Sequence, residues 1–202
     1  MIIKGFTITA DQRHAAHLLT TEDNEHVLVH EVRGFIASDL HGAFKESQTI
    51  ARGTKCKQHL FSCAFSPPQS ADLSIKQFIS CIDKTEQALG LEGQPRAVVF
   101  HEKDGRRHAH CVWACIDAET MKGKQLSHWK TKLVDVSRAL HVEFGIGMPK
   151  GLRKKEDRDP LNFSQAESQM AKREGTNPRT VKSIVQDCRV KSDNRKSFEV
   201  AL

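Results

Sequence analysis

Residues 101–116, HEKDGRRHAHCVWACI, constrain the fold more than any other stretch of the chain. Asp104-Gly105 is the favoured dipeptide for a two-residue type I′ hairpin turn. That turn sets the register: Lys103 faces Arg106, Glu102 faces Arg107, and His101 faces His108. Directly opposed side chains have Cβ atoms roughly 4.5–5.5 Å apart. His110 lies two residues beyond His108 and therefore on the same face. Three imidazoles converge on one patch, and a register slip of one residue would send His101 to the other face. Neutral imidazoles suit Mn, Zn, Ni, Cu or Fe(II), and three ligands leave positions open for substrate. Lys103 and Arg106 fall on the histidine face nearer the tip, where they can hold a phosphate beside a metal acting as Lewis acid. A lone H-x-H is usually an ordinary surface pattern; the opposed third histidine separates this one from it.

The rest of the chain supplies a frame for that hairpin. Residues 1–9 and 26–35 alternate as strands, the second with Val27, Val29, Glu31 and Arg33 on one side. Residues 57–65 form another strand, ended by Pro67-Pro68. Residues 96–102 and 107–117 are apolar enough for central strands. Helices are expected over 11–19, from an N-cap at Ser38 to Arg52, from a Ser74/Gln77 capping box to Gly90, and over 127–145. This is α+β, a five-stranded antiparallel sheet with packed helices. The hairpin domain occupies 1–148, and a charged linker covers 149–161. Thinly apolar basic helices over 162–174 and 178–190 follow. With no stop signal at its end, this 162–202 extension is expected to continue in a longer protein.

Composition narrows the function. Net charge is +6, and residues 1–51 carry −3, so +9 lies after them. A basic body suits a polyanion, nucleic acid above all, although a merely soluble basic protein has the same balance. No apolar run is long enough to span a membrane, and no secretory leader is visible at the N-terminus. The six cysteines show no C-x-x-C pairing. They read as buried thiols of a cytoplasmic protein, not as a disulfide frame or zinc knuckle. Trp113, Cys111 and Cys115 fall on the face opposite the histidines, as core. Arg96, Arg107 and the cluster Arg153, Lys154 and Lys155 are candidate phosphate contacts. Asp104, Glu25 and Glu31 are candidate acids near the hairpin.

His101-x6-His108-x-His110 resembles the three-histidine motif of relaxases, the mobilisation nucleases of plasmids. Residues 53–68, residues 90–117 and Pro149-Lys150-Gly151 are similar to the MobA/VirD2-like nuclease domain. The resemblance implies a sheet with the histidines on its central strands and a divalent ion, Mg or Mn (Zn or Ni fit the same ligands), on His101, His108 and His110. It implies nicking of one strand of single-stranded or supercoiled DNA at a plasmid transfer origin. The route is a covalent protein–DNA phosphate, and relaxosome accessory proteins and a coupling protein are the implied partners.

The chain departs from that pattern because it contains no tyrosine, the usual nucleophile. Related enzymes use an N-terminal histidine, so the candidates are His14, His17, His26, His30 and His41. His26 is preferred because it opens a strand after the polar turn Asn24-Glu25. Two other readings stand beside nicking: a metal- and DNA-binding domain without nuclease activity, and a three-histidine zinc hydrolase of a small anionic substrate.

Overall fold

A computed structural model describes residues 1–8, 11–22, 24–154 and 156–202. The expected end of the first strand at Thr9, and the candidate phosphate contact Lys155, lie outside them. The described residues fall into two compact units, Met1–Met148 and Pro149–Leu202.

In the first unit the elements run β1 (Ile2–Ile8), α1 (Asp11–Leu19), β2 (His26–Arg33), α2 (Leu40–Arg52), β3 (Leu60–Ser66), α3 (Ile75–Leu89), β4 (Arg96–Lys103) and β5 (Arg106–Ala114). Then come β6 (Ile116–Asp117), β7 (Lys122–Gly123) and α4 (Trp129–Glu143). Five strands form one antiparallel sheet in the order β1-β3-β5-β4-β2, so the hairpin β4–β5 sits at its centre. The fold is the expected α+β. The last expected strand is cut at Ala114, and Ile116–Asp117 turns away to pair with Lys122–Gly123 in a small second ribbon.

Side chains alternate across the sheet and build two cores. One face carries Phe61, Cys63, Phe65, Val98, Phe100, Ala109, Cys111 and Trp113, covered by Phe78 and Ile82 of α3 and Leu133 and Leu140 of α4. The other carries Leu60, Ala97, Val99 and Val112, covered by Ala15 and Leu18 of α1 and Leu40, Ala43 and Phe44 of α2. Fully burying each large apolar side chain contributes roughly 1.5–3 kcal/mol, which outweighs local propensity in fixing which face points in. Helix α4 comes close over β1, because a Cβ on Gly5 would sit 2.7 Å from Phe61 and 2.8 Å from Leu133.

The helix ends follow their caps. Ser74 and Gln77 form the reciprocal box that starts α3, and Gly90 ends it with φ +71°. Helix α2 starts one residue later than expected, because the Asp39 carboxylate, not Ser38, accepts the Gly42 N–H at 2.9 Å. A β-bulge at His30 interrupts β2: Val29 pairs with Val99, but Glu31 pairs with Val98. One extra residue flips the rest of the strand. Glu31 and Arg33 therefore face α3, not the side of Val27 and Val29 on which simple alternation places them.

The second unit holds α5 (Lys150–Arg153), α6 (Gln165–Arg173), α7 (Pro178–Lys191) and α8 (Arg195–Ala201). The stretch read as linker thus contains a short helix, and the tail is helical. Ser164 and Glu167 cap α6 reciprocally, and the Asn177 side chain caps α7.

A candidate metal centre on the central hairpin

The turn that organises the site is the one the sequence specifies. Asp104 and Gly105 both have positive φ, +51° and +64°, as a type I′ turn requires. The ladder beyond pairs Lys103 with Arg106, Glu102 with Arg107 and His101 with His108, while Val99 pairs with His110. His101, His108 and His110 consequently share the α1/α2 face. Their ring centroids are 5.2 Å (101–108), 4.7 Å (101–110) and 5.4 Å (108–110) apart.

The chemistry of the three rings suits a metal. Each offers one nitrogen, and these nitrogens lie within 4.8 Å of one another. Two metal–nitrogen bonds of about 2.1 Å span at most about 4.2 Å, a difference that small side-chain rotations close. His101 Nε2 lies 2.7 Å from the Leu18 carbonyl oxygen. A carbonyl can only accept, so Nε2 carries the proton and Nδ1 the lone pair, the outer-shell arrangement common for ligating histidines. The Nδ1 atoms of His108 and His110 are buried and have no hydrogen-bond partner. A buried ring nitrogen left without a partner is destabilising, by roughly 1–3 kcal/mol each, and where it carries the lone pair a metal ion would satisfy it.

Burial holds all three rings neutral. Desolvation lowers His101, with His17 lowering it further against the opposing Leu18 hydrogen bond. Desolvation also lowers His108, aided by His101 and Arg106. His110 is pushed down to about 3 by desolvation first, then by His101, His108, His14 and His17. At neutral pH the cluster therefore presents lone pairs rather than protons.

The other sequence candidates divide by face. Lys103, Asp104 and Arg106 join Gln69 and His108 around a recess of about 280 Å³ beside the cluster. Glu25 accepts the Gly105 N–H at 3.4 Å and ties the hairpin tip to the start of β2. Arg107 pairs with Glu102 at 3.8 Å on the opposite face. Arg96 is buried and held by Asp83, Glu86 and Glu31, so it is a structural cation, not an exposed phosphate contact. Glu31 is taken by the same network. Arg153 and Lys154 are exposed at the end of the short helix α5 in the second unit. The cysteines are free thiols, four of them buried. Burial pushes the Cys115 thiol up to about 12.

The preferred nucleophile His26 is not brought to the cluster. It pairs with Glu102, whereas Val27 pairs with His101, so the His26 side chain leaves on the other face. His30 packs its ring edge-on against Phe100 on that same far side. His41 is bonded to Gln12 at 2.9 Å. The two histidines that the structure does bring over the site are His14 and His17 of α1, with rings 6.5 Å apart. The available signal was their i, i+3 spacing, which places both on one helix face. What was missing is that α1 crosses the histidine side of the sheet.

No described helix is long and apolar enough to cross a membrane. No curated protein and no solved structure matches the chain. The family model for the MobA/VirD2-like nuclease domain of relaxases matches residues 11–146, which include all three histidines of the cluster and the α1 helix beside it. With well over half of its length matched, the chain belongs to the relaxase family, by its MobA/VirD2-like nuclease domain.

Proposed function

We propose that this chain nicks one DNA strand at a plasmid transfer origin, using a divalent ion held by His101, His108 and His110. The observation that carries the reading is the cluster of three neutral, inward-facing imidazoles at the centre of a relaxase sheet. Bound there, the ion supplies Lewis-acid polarisation of a phosphoryl oxygen. The chain's own residues do the rest. Lys103 and Arg106 beside His108 attract and orient the phosphodiester, and the Leu18 carbonyl keeps His101 in one tautomer. Mg or Mn is the expected ion, and single-stranded or supercoiled origin DNA the expected substrate. Arg107, turned to the other face, has no support as a DNA contact in this reading. Accessory relaxosome proteins and a coupling protein are the partners it implies.

The rival reading, a domain that binds metal and DNA without cutting, draws its support from the absence of tyrosine. A plasmid nicking assay separates the two. Supercoiled origin DNA with Mn²⁺ should convert to open circles, and His108→Ala should abolish conversion while leaving the far-ultraviolet spectrum unchanged. A wild-type protein that binds Mn²⁺ and leaves every such substrate intact would establish the binding-only reading.

A further inference from the structure

We infer that Phe6 and Lys4 of β1 form a nucleotide subsite beside the metal centre, Phe6 stacking on an unpaired base and Lys4 pairing with the backbone. The subsite presupposes the DNA-nicking function proposed above. Register places both residues. Lys4 pairs with Ala64, and Ala64 pairs with His110, so the lysine stands in the row of a candidate metal ligand. Two strand spacings separate their backbones, about 9–10 Å. Phe6 is two residues along β1, on the same face and opposite Ser62.

That face is open to solvent on the cluster's side. Ile8, Phe6 and Lys4 all point toward the α1/α2 layer, and their burial falls away along the strand. Ile8 is 5 % exposed, Phe6 is 46 % exposed, and Lys4 is exposed. The two helices therefore cover one end of β1 and leave the other bare. Ala64 and Ser66 of β3 face the same way there, both small and half-buried. They floor a trough between His108 and His110 on one side and Lys4 and Phe6 on the other.

A single exposed phenylalanine is ordinary on a protein surface, but this one is braced. Its ring stands perpendicular to the His14 ring at 5.5 Å. His14 in turn stacks on Phe44 at 6.2 Å, with its Nε2 3.1 Å from Ser62 Oγ. A ring held in this way has little rotamer freedom left to lose when a ligand lands on it. Every base offers a π-face, so such a platform takes a nucleotide without reading its identity. Lysine reads only the phosphate charge. A duplex keeps its bases stacked inside and has none to lay on Phe6, so the pair selects an unpaired strand. Lys103 and Arg106 ring the recess at the hairpin tip, which puts cations on both flanks of the cluster. The strand then crosses the sheet from the tip, over the histidines, to the β1 edge.

The test uses the full chain and fluorescein-labelled oligothymidine, read by fluorescence anisotropy. A strand of equal length built only of abasic units and a duplex are run beside it. Phe6→Leu keeps an apolar contact for His14 and removes the aromatic face. It should weaken oligothymidine binding by roughly 5- to 150-fold, the range of one base–aromatic stack. The abasic strand and the duplex should bind as they do to the parent. Lys4→Gln should weaken both single strands alike and flatten the log–log salt dependence by about 0.7. Phe6→Trp should keep oligothymidine binding, and its added fluorescence should be quenched by oligothymidine but not by the abasic strand. Circular dichroism and Mn²⁺ affinity of each variant should match the parent. Phe6→Leu that binds oligothymidine like the parent, or loses the abasic strand equally, overturns the subsite and leaves nicking intact. An unquenched Phe6→Trp or an unchanged salt slope in Lys4→Gln does the same. A parent protein that neither binds oligothymidine nor cuts supercoiled DNA overturns both.

Discussion

Replacing Arg96 by methionine removes a guanidinium whose side chain is only 4 % exposed and which contacts Asp83 at 2.6 Å, Glu86 at 2.8 Å and Glu31 at 3.1 Å. The magnitude follows from what each carboxylate has left. Asp83 is 55 % exposed and returns to water, and Glu31 is partly exposed. Glu86 is buried but keeps Arg33 at 2.9 Å and the Trp113 indole N–H at 2.7 Å. Breaking a buried pair from one side costs about 3–5 kcal/mol. With two donors still on Glu86, the loss belongs at the low end, about 3 kcal/mol. In urea, with a slope of about 1–3 kcal/mol per molar, that lowers the midpoint by about 1 M or more. The acid limb should move as well. Burial alone would raise the Glu86 carboxyl, but hydrogen bonds from Trp113, Arg33 and Arg96 hold it below its usual value. Stability from such a group is present above its unfolded pKa and lost as pH falls through the folded one. Without Arg96 the folded value climbs, and acid unfolding begins at a higher pH. Urea titrations followed by circular dichroism across pH 3–7 measure both effects. Arg96 faces α3, away from the histidines, so Mn²⁺ affinity of the folded variant should be unchanged. An unmoved urea midpoint together with weakened DNA binding would refute this reasoning and restore Arg96 as a phosphate contact.

His110→Ala should reduce Mn²⁺ affinity, measured by isothermal calorimetry, by more than the roughly 100-fold that loss of an outer-shell partner costs; unchanged affinity would place the metal elsewhere. Gly5→Ala puts a methyl 2.7 Å from Phe61 and 2.8 Å from Leu133, and the overpacking should lower stability by about 1–3 kcal/mol in a urea titration. Burial lowers His14 to about 4, so its contribution is full above the unfolded value near 6.5 and is lost as pH falls from there toward 4. The urea midpoint should already decline between pH 6.5 and 5, before carboxylates titrate, and His14→Gln should flatten that decline. An identical slope in the variant would assign the decline to other groups.

How much of this was legible beforehand depends on the range of the interaction concerned. The register of β4 against β5 was readable because two residues, Asp104 and Gly105, set it locally, and the period of two carried it to His108 and His110. The Ser74 capping box was readable for the same reason. Arg96 was misread because a basic residue carries no mark of burial in sequence. Its partners stand 65, 13 and 10 positions away, and only the fold assembles them. The face of Glu31 was misread because a single bulge residue, His30, reverses an alternation that looks unbroken as a string.

The nucleophile shows the same limit most clearly. Seen as strand residues, His26 and His101 both appear near the site, since β2 and β4 are neighbours. Pairing decides otherwise: Val27 takes the position beside His101, and His26 goes with Glu102 to the far side. A helix is not bound by that alternation. Once Leu18 is buried on the histidine face and its carbonyl is engaged by His101, the residue before it is held on the side of the three-histidine cluster by 3.6-residue geometry alone. The position of His17 is thus a consequence of where α1 docks. The same contact that fixes the tautomer of His101 also anchors the helix that carries His14 and His17, so a Leu18 substitution that shifts α1 should weaken Mn²⁺ affinity in isothermal calorimetry, and an unchanged affinity would show that the α1 contact does not orient His101.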